Sequence, residues 1–332
     1  MTTIKDIAGA ANVSSSTVSR ILNHDDTLSV APETREKVFE IAAELNYEKK
    51  SKPVRNPSYS LGIVQWFSAE QEIEDTYYLL IRQGIEAFCV NNNIHVVRTF
   101  RSNPNYIDNI KDVDGLICVG KFLPTEVDLF KEMCPNVIFL DMPVIDSETI
   151  TITIDFYQAV QIVLDYLVKS CGHRQVGLLT GKEYLAPGVL FHDEREEFFI
   201  RYCEENDIEY KPFLVSDEFT SESGYKMMNS LIADGNLPTA IFATSDPIAL
   251  GALRALAENG ISVPDDISIV GFDNINITNF TNPPLTTIHA PAYDMGYLGA
   301  YIVFNISNSS WWPAMKIKLP CKLIERESCR EI

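Results

Sequence analysis

The chain has 332 residues, of which 46% are hydrophobic, 22% charged and 10% aromatic. That composition excludes a disordered, collagen-like or coiled-coil chain, and at about 100–200 residues per domain it points to two or three packed domains. Lys and Arg number 27 against 46 Asp and Glu, a net charge of −19 that suits nucleic acid poorly when the chain is taken whole. The charge is unevenly spread, however. Residues 1–60 hold eight basic and eight acidic side chains, so the other 272 carry the entire −19, and Lys49–Arg55 is locally cationic with no acid in it. The seven cysteines (89, 118, 134, 171, 203, 321 and 329) are odd in number, lack Cys-x-x-Cys spacing and mostly sit in apolar runs, which fits buried free thiols in a reducing compartment. The histidines at 24, 95, 173, 192 and 289 are scattered, so neither a metal nor a cofactor is expected. A signal-peptide pattern and a long apolar run are both missing, and the expectation is a cytoplasmic protein with no membrane partner.

In chain order, Thr3-Ile4-Lys5-Asp6 has capping-box form, and Ile4, Ile7, Ala8 and Ala11 then share one helical face. Asn12-Val13-Ser14 is a short polar break. Ser14 or Ser15 then caps a second helix over Ser16–Leu22, with Val18, Ile21 and Leu22 inward. Two short helices joined by about three residues have helix-turn-helix spacing. A third helix is predicted from Pro32 to Tyr47, with Val38, Ile41, Ala42 and Leu45 as its apolar stripe. The second helix offers Ser15, Ser16, Thr17, Ser19 and Arg20 to its outer side. Small hydroxyls permit close approach to a major groove, and Arg grips guanine or phosphate; the plainer alternative is a small helical cap with a polar face.

Thr3-Ile4-Lys5-Asp6-Ile7-Ala8, Val13-Ser14, Thr17-Val18-Ser19-Arg20-Ile21-Leu22-Asn23, Thr34-Arg35-Glu36-Lys37-Val38 and Leu45-Asn46-Tyr47 together resemble the headpiece of LacI/GalR-family transcription repressors. The resemblance implies that Ser15 and Ser16 choose operator bases. It also implies that Thr3, Ser14, Thr17, Ser19, Arg20, Asn23, His24 and Thr34 contribute further DNA contacts. Ala31 stands where many members have a capping Ser, with Pro32 available to fix φ instead. The linker departs from the family pattern. Its prolines, Pro53 and Pro57, disfavour the hinge helix that relatives form on DNA, and Val54 is the one apolar candidate for a minor-groove wedge. A flexible basic linker contacting phosphates through Lys52 and Arg55 is expected.

Beyond residue 60, strand-like runs at Leu61–Phe67, Ile94–Phe100, Gly115–Val119, Val137–Asp141, Thr151–Asp155, Val176–Thr180, Ala240–Ala243 and Ile267–Phe272 alternate with helical stretches. Those stretches are Tyr77–Asn91, Phe156–Val168, Glu194–Glu205, Ser223–Ala233 and Pro247–Glu258. Repeated β-α with about ten strands predicts two Rossmann-like parallel lobes, with ligand beyond the strand C-termini. A phosphate-cradling loop and a nucleophile elbow are both missing, which disfavours an α/β enzyme. Asp155 and Asp246 can be read as helix caps, and Gly172 as a helix end before a strand, which makes His173-Arg174 scaffold.

The family resemblance resumes at Ser170–Arg174, Ser245–Gly251, Pro264–Asp273 and Pro283–Ile288. It implies an α/β protein in which an N-terminal helix-turn-helix headpiece (1–47) and a linker (48–59) precede a two-lobed, periplasmic-binding-protein-type core (60–332). Lobe one would comprise about 60–154 and 289–318, and lobe two about 155–288 and 319–332. The carried-over effector pocket is Tyr77, Asp141, Arg195, Phe219, Ser245, Asp246 and Asp273, with one of Tyr77 and Tyr78 on sugar and the other in the core. Arg and Asp pair with vicinal hydroxyls, and a flat aromatic covers the apolar face of a pyranose. The alternatives are a surface salt-bridging Arg195 and a core-packing Phe219. The run Glu72–Glu86 looks like galactose-operon repressors and the evolved β-galactosidase repressor, which favours galactose or a galactoside as effector. The expected partners are therefore an operator pseudo-palindrome, a sugar and a second copy in a homodimer. A transport-type sugar-binding module and a co-repressor-dependent regulator are the alternatives.

Overall fold

The computed structural model describes residues 3–22, 28, 30–45, 47, 59–307 and 313–332, and the chain divides into two compact units, 1–56 and 57–332. The first unit is built from α1 (Ile4–Ala11), α2 (Ser15–Leu22) and α3 (Pro32–Glu44). The capping box forms: the Asp6 carboxylate accepts from the Thr3 N–H at 2.7 Å and the Thr3 hydroxyl accepts from the Asp6 N–H at 3.4 Å. Asn12 ends α1 at φ 56°, a left-handed conformation that Asn tolerates. Ser14 is the cap of α2, its Oγ accepting from the Thr17 N–H at 3.0 Å, so the helix starts at Ser15 rather than Ser16. Ala31 gives α3 no side-chain cap, and Pro32 fills its first turn. α3 stops at Glu44 instead of Tyr47. Leu45 therefore leaves the helical register and is 38% exposed, outside the apolar stripe expected of it. Ile7, Ala8, Ala11, Val18, Ile21, Val38 and Ala42 close the core. Asn23, His24, Lys52, Val54 and Arg55 lie outside the described residues.

In the second unit the order is β1 (Ser60–Gln65), α4 (Gln71–Glu74), α5 (Tyr77–Asn92), β2 (His95–Phe100), β3 (Gly115–Val119), α6 (Pro124–Met133), β4 (Val137–Leu140) and β5 (Ile150–Ile154). Next come α7 (Phe156–Leu164), β6 (Val176–Gly181), β7 (Glu183–Ala186), β8 (Val189–Phe191), α8 (Glu194–Glu205), β9 (Leu214–Asp217), α9 (Ser221–Ala233), β10 (Ala240–Ala243) and α10 (Asp246–Glu258). The chain finishes with β11 (Ser268–Asp273), β12 (Thr286–His289), α11 (Ala292–Ser307), β13 (Lys316–Leu319) and β14 (Lys322–Ile324). Two six-stranded sheets result, in the orders β13-β5-β4-β3-β1-β2 and β14-β12-β11-β10-β6-β9. Pairing is parallel throughout except for β14, which runs antiparallel to β12. The central strands read as unbroken apolar runs because helices cover both faces; every residue of β3, β4 and β10 is buried.

The chain passes from the first sheet to the second after β5, back after β12, and forward again after β13. On the first sheet α5 and α11 pack together so closely that a Cβ at Gly296 would lie 1.8 Å from the Ile81 carbonyl oxygen. On the second, α9 packs on α10 and α7 on α8. The expected strands and helices are present, most with ends shifted by a residue or two; α7 stops at Leu164 rather than Val168, and a π-helical stretch over Asp165–Ser170 takes its place. The elements not anticipated are α4, α6, α11, the short β9, β12, β13 and β14, and the β7–β8 hairpin inserted between β6 and α8.

Candidate functional site

Parallel strands in both lobes end at a shared cleft. At its centre are two strand ends with unusual backbones: Asp141, after β4, at φ 60°, and Asp273, closing β11, at φ 109° and followed by Asn274 at φ 60°. Such conformations cost non-glycine residues about 1–3 kcal/mol each and collect where a side chain must be aimed. The second turn is held from beneath. The Asp246 carboxylate accepts from the Ile275 N–H at 2.8 Å and from the Thr287 hydroxyl at 2.6 Å, while Arg326 donates to Asn274 Oδ1 at 2.7 Å and to the Leu285 carbonyl at 2.6 Å.

Lobe two supplies Arg195, in the first turn of α8 just behind its cap, Asp193. The guanidinium donates to both Asp193 oxygens at 2.6–3.0 Å and to the Thr244 carbonyl at 2.6 Å. It lies 4.8, 5.0 and 5.3 Å from the ring centres of Phe156, Phe219 and Phe272, within cation–π range. Burial opposes the charge, but Asp193 more than compensates and raises the Arg195 pKa further. Burial would likewise lift the Asp193 carboxyl, yet Arg195 holds it below its ordinary range. Arg195 is therefore a buried anchor and not a surface salt-bridging residue. Phe219 lines the cleft while seated on Gly181, where a Cβ would meet its ring at 2.1 Å.

Lobe one supplies Asp141. Tyr78 donates to it at 2.8 Å, Tyr77 at 3.3 Å and the Lys121 ammonium at 2.6 Å; Lys121 also donates to the Asp141 carbonyl. Both tyrosines line the cleft and both are also buried in the core of the lobe. Lys121 lies 4.9 Å from the Phe191 ring centre, so the β7–β8 hairpin of lobe two reaches the opposite lobe.

Four further carboxyls, Asp75, Glu183, Glu194 and Asp273, line the cleft without an ion pair among the described residues. Burial raises Asp75, whose oxygen accepts from the Tyr77 N–H at 3.0 Å. Burial raises Asp273 well above the usual carboxylate range, with Asp75 and Asp246 adding repulsion. Burial raises Glu183 to about 7 against the pull of Lys121. The arrangement is rich in acceptors, has two anchored cations and is walled by aromatic rings. It suits a neutral, hydroxyl-rich ring.

Of the sequence-derived set, Tyr77, Asp141, Arg195, Phe219, Ser245 and Asp273 meet in this cleft, and Asp246 does not. Asp246 is the first residue of α10; its fully buried carboxylate points at the β11–β12 connection. The cap of that helix is Ser245, whose Oγ accepts from the Ile248 N–H at 3.4 Å, whereas Asp155 does cap α7, accepting from the Gln158 N–H at 3.1 Å. His173 bridges the Thr239 and Ser268 hydroxyls at 2.9 and 3.1 Å as scaffold. Sequence reasoning missed Asp75, Lys121, Glu183 and Phe191. Asp75, one residue before the Thr76-Tyr77 helix start, carried a turn signal; the others carried none.

In the headpiece Thr3, Ser14, Ser15 and Ser16 are exposed, and Thr17, Ser19, Arg20 and Thr34 are half-buried. Ser15, Ser16, Ser19 and Arg20 all belong to α2, whose Val18 and Ile21 face the core. Among the described residues no group of His, Cys, Asp and Glu could hold a metal ion, and no helix is long and apolar enough to cross a membrane.

Residues 3–50 match the model for bacterial regulatory proteins of the lacI family, and residues 164–329 match the periplasmic binding protein-like domain. The chain is 38% identical over 301 residues to the HTH-type transcriptional regulator GalR of Streptococcus thermophilus, covering 89% of this chain and 90% of the relative. It is 33% identical over 338 residues to the HTH-type transcriptional repressor MelR of Bacillus subtilis (strain 168), covering 99% and 98%. Among solved structures it is similar to the Lac repressor dimer bound to operator and the anti-inducer ONPF, with TM-score 0.70, 25% identity and 99% of each chain covered. The fold also matches the transcriptional regulator CelR–cellobiose complex, with TM-score 0.69, 23% identity, and 99% and 100% covered. The chain belongs to the LacI family and is a DNA-binding transcriptional regulator of sugar utilisation.

Proposed function

We propose that this regulator represses galactose or galactoside utilisation genes, and that a galactoside bound between the lobes releases it from its operator. The observation that carries the effector side is the meeting of Asp141 and Asp273, both on left-handed strand ends, with Arg195 under three aromatic rings. Acceptors on opposite lobes take hydroxyls from opposite edges of one ring, and Phe219 covers an apolar C–H face. The regulators named GalR support galactose as the sugar. In this reading residues 1–47 read DNA, residues 48–59 link, and the lobes (60–154 with 289–318, and 155–288 with 319–332) hold the effector. Ser15 and Ser16 approach base edges. Thr3, Ser14, Thr17, Ser19, Arg20 and Thr34 contact the surrounding bases and phosphates, as do Asn23, His24, Lys52, Val54 and Arg55 of the segments outside the described residues. The working form is a cytoplasmic homodimer, which sets two headpieces on one pseudo-palindrome.

The test is binding of the full chain to its own promoter fragment at moderate salt, titrated with galactose, lactose and a sugar lacking galactose. Release by galactose or lactose alone is expected. Binding that no sugar alters refutes the galactoside effector, and failure to bind the fragment refutes the operator.

A further inference from the structure

The effector cleft does not end at its own mouth. Pro143, Thr153 and Lys318 line it and also line a second groove that runs on along the edge of the first sheet. Strand register builds the floor of that groove. β5 and β13 pair in parallel with Thr151 opposite Lys316 and Thr153 opposite Lys318. With a side-chain period of two, those four polar residues share one face, and the intervening Ile152, Ile154, Ile317 and Leu319 turn to the core. The wall is the loop after Asp141, which presents Pro143, Val144 and Ile145, the last 99% exposed.

That loop is fixed in place. Asp146 accepts from the Thr149 N–H at 2.7 Å, the Thr149 hydroxyl at 2.6 Å, the Glu148 N–H at 2.9 Å and the Lys131 ammonium at 3.0 Å. Lys316 ties it to the floor, donating to the Thr149 carbonyl at 2.8 Å. Lys318, by contrast, has no carboxylate partner among the described residues and sits where the two cavities join.

We propose that this groove is a second saccharide subsite, so that the effector is a galactoside of two or more rings: the terminal galactose fills the cleft and the next ring lies on Ile145 and Pro143. This rests on the galactoside reading above. The chemistry is that of a neutral hexose. The aliphatic wall matches the C–H face of a pyranose, and a threonine hydroxyl and an unpaired ammonium serve its oxygens. A negatively charged second group is disfavoured by the surplus of carboxyls in the adjoining cleft. Continuity between the two cavities supplies what an isolated surface groove lacks, a ligand already held at one end.

The test is calorimetric titration of the full chain with galactose, with lactose and melibiose, and with galactose 6-phosphate. At least one disaccharide should bind about tenfold more tightly than galactose. Ile145→Ser and Ile145→Asp, at a solvent-exposed position whose loss leaves the fold intact, should reduce that advantage about three- to tenfold and leave galactose affinity unchanged. Equal affinity for galactose and both disaccharides overturns the subsite, as does an advantage that neither Ile145 variant diminishes, or preference for the phosphorylated sugar. If galactose itself binds, those results leave the galactoside reading standing. If no galactose-containing ligand binds, both fall together.

Discussion

Arg195→Ala is the most informative substitution because the residue joins stability to effector binding. Its side chain and that of Asp193 are 10% and 12% exposed, so solvent screens the pair little. Truncation leaves Asp193 as a buried carboxylate without its partner, an expected loss of about 3–5 kcal/mol. It also opens a space among Phe156, Phe219 and Phe272. On the proposed reading it removes the charged donor for the sugar, worth about 1.5–3 kcal/mol, or roughly ten- to a hundredfold in affinity. The two effects separate in the double variant Arg195→Ala with Asp193→Asn. Neutralising the abandoned carboxylate should restore about half of the lost stability and none of the affinity. Urea denaturation followed by circular dichroism reads the first quantity, and galactoside titration calorimetry reads the second. If Arg195→Ala costs less than about 1 kcal/mol and binds sugar as well as the parent, then neither the buried anchor nor the ligand role stands.

Three further outcomes follow from the geometry. Ser14→Ala removes the cap of α2 and should cost the headpiece about 1 kcal/mol, read as a lower midpoint of the headpiece's thermal transition in the absence of DNA. Gly296→Ala places a methyl 1.8 Å from the Ile81 carbonyl oxygen and should cost about 1–3 kcal/mol by forcing α5 and α11 apart, measured as a fall in the denaturation midpoint. Glu183 has its folded-state pKa raised from 4.5 to about 7, so the folded chain binds this proton more tightly than the unfolded chain does. Its contribution to stability is therefore most favourable below about pH 4.5, falls as pH rises to about 7, and stays at a penalty of up to about 3 kcal/mol above that. Glu183→Gln should flatten this dependence and raise stability at pH 8, as read by denaturation from pH 5 to 8.

The sequence made the helices of the headpiece legible because their signals are local: a capping box at Thr3 and Asp6, a left-handed Asn12, and a proline opening α3. Long apolar strands were equally legible, since burial on both faces leaves no polar interruption. What escaped was either short or set by distant partners. The edge strand β13 reads Lys-Ile-Lys-Leu and is a strand only because β5 lies beside it. Asp246 shows the same limit for function. Its position at a helix start beside Ser245 matched a ligand-binding pattern, but nothing local to it reports that Thr287 and Ile275 would claim both carboxylate oxygens. Lys121 was invisible for a related reason, since its meaning depends on Asp141 lying across the cleft end of the sheet.

On the proposed reading, the surplus of acid gives one bound sugar a hold on both lobes. Asp75 and Asp141 belong to lobe one, and Glu183 and Asp273 to lobe two, so the cleft holds carboxyls from opposite sides in one space. Burial and mutual repulsion together raise Asp273, and Asp141 and Asp193 add to the rise at Glu183. Both effects favour the protonated carboxyls while the cleft is empty. Sugar hydroxyls donating to these oxygens favour the ionised carboxylates and make closure less costly, which is the differential affinity a conformational switch requires. Binding should then expel protons near neutrality, and affinity should rise with pH up to about 7, where Glu183 is ionised even without ligand. Calorimetry in two buffers of different ionisation enthalpy measures that release directly. Proton uptake on binding would mean that the carboxyls stay protonated and act as donors, and the proposed roles of Asp273 and Glu183 as hydroxyl acceptors would then be wrong.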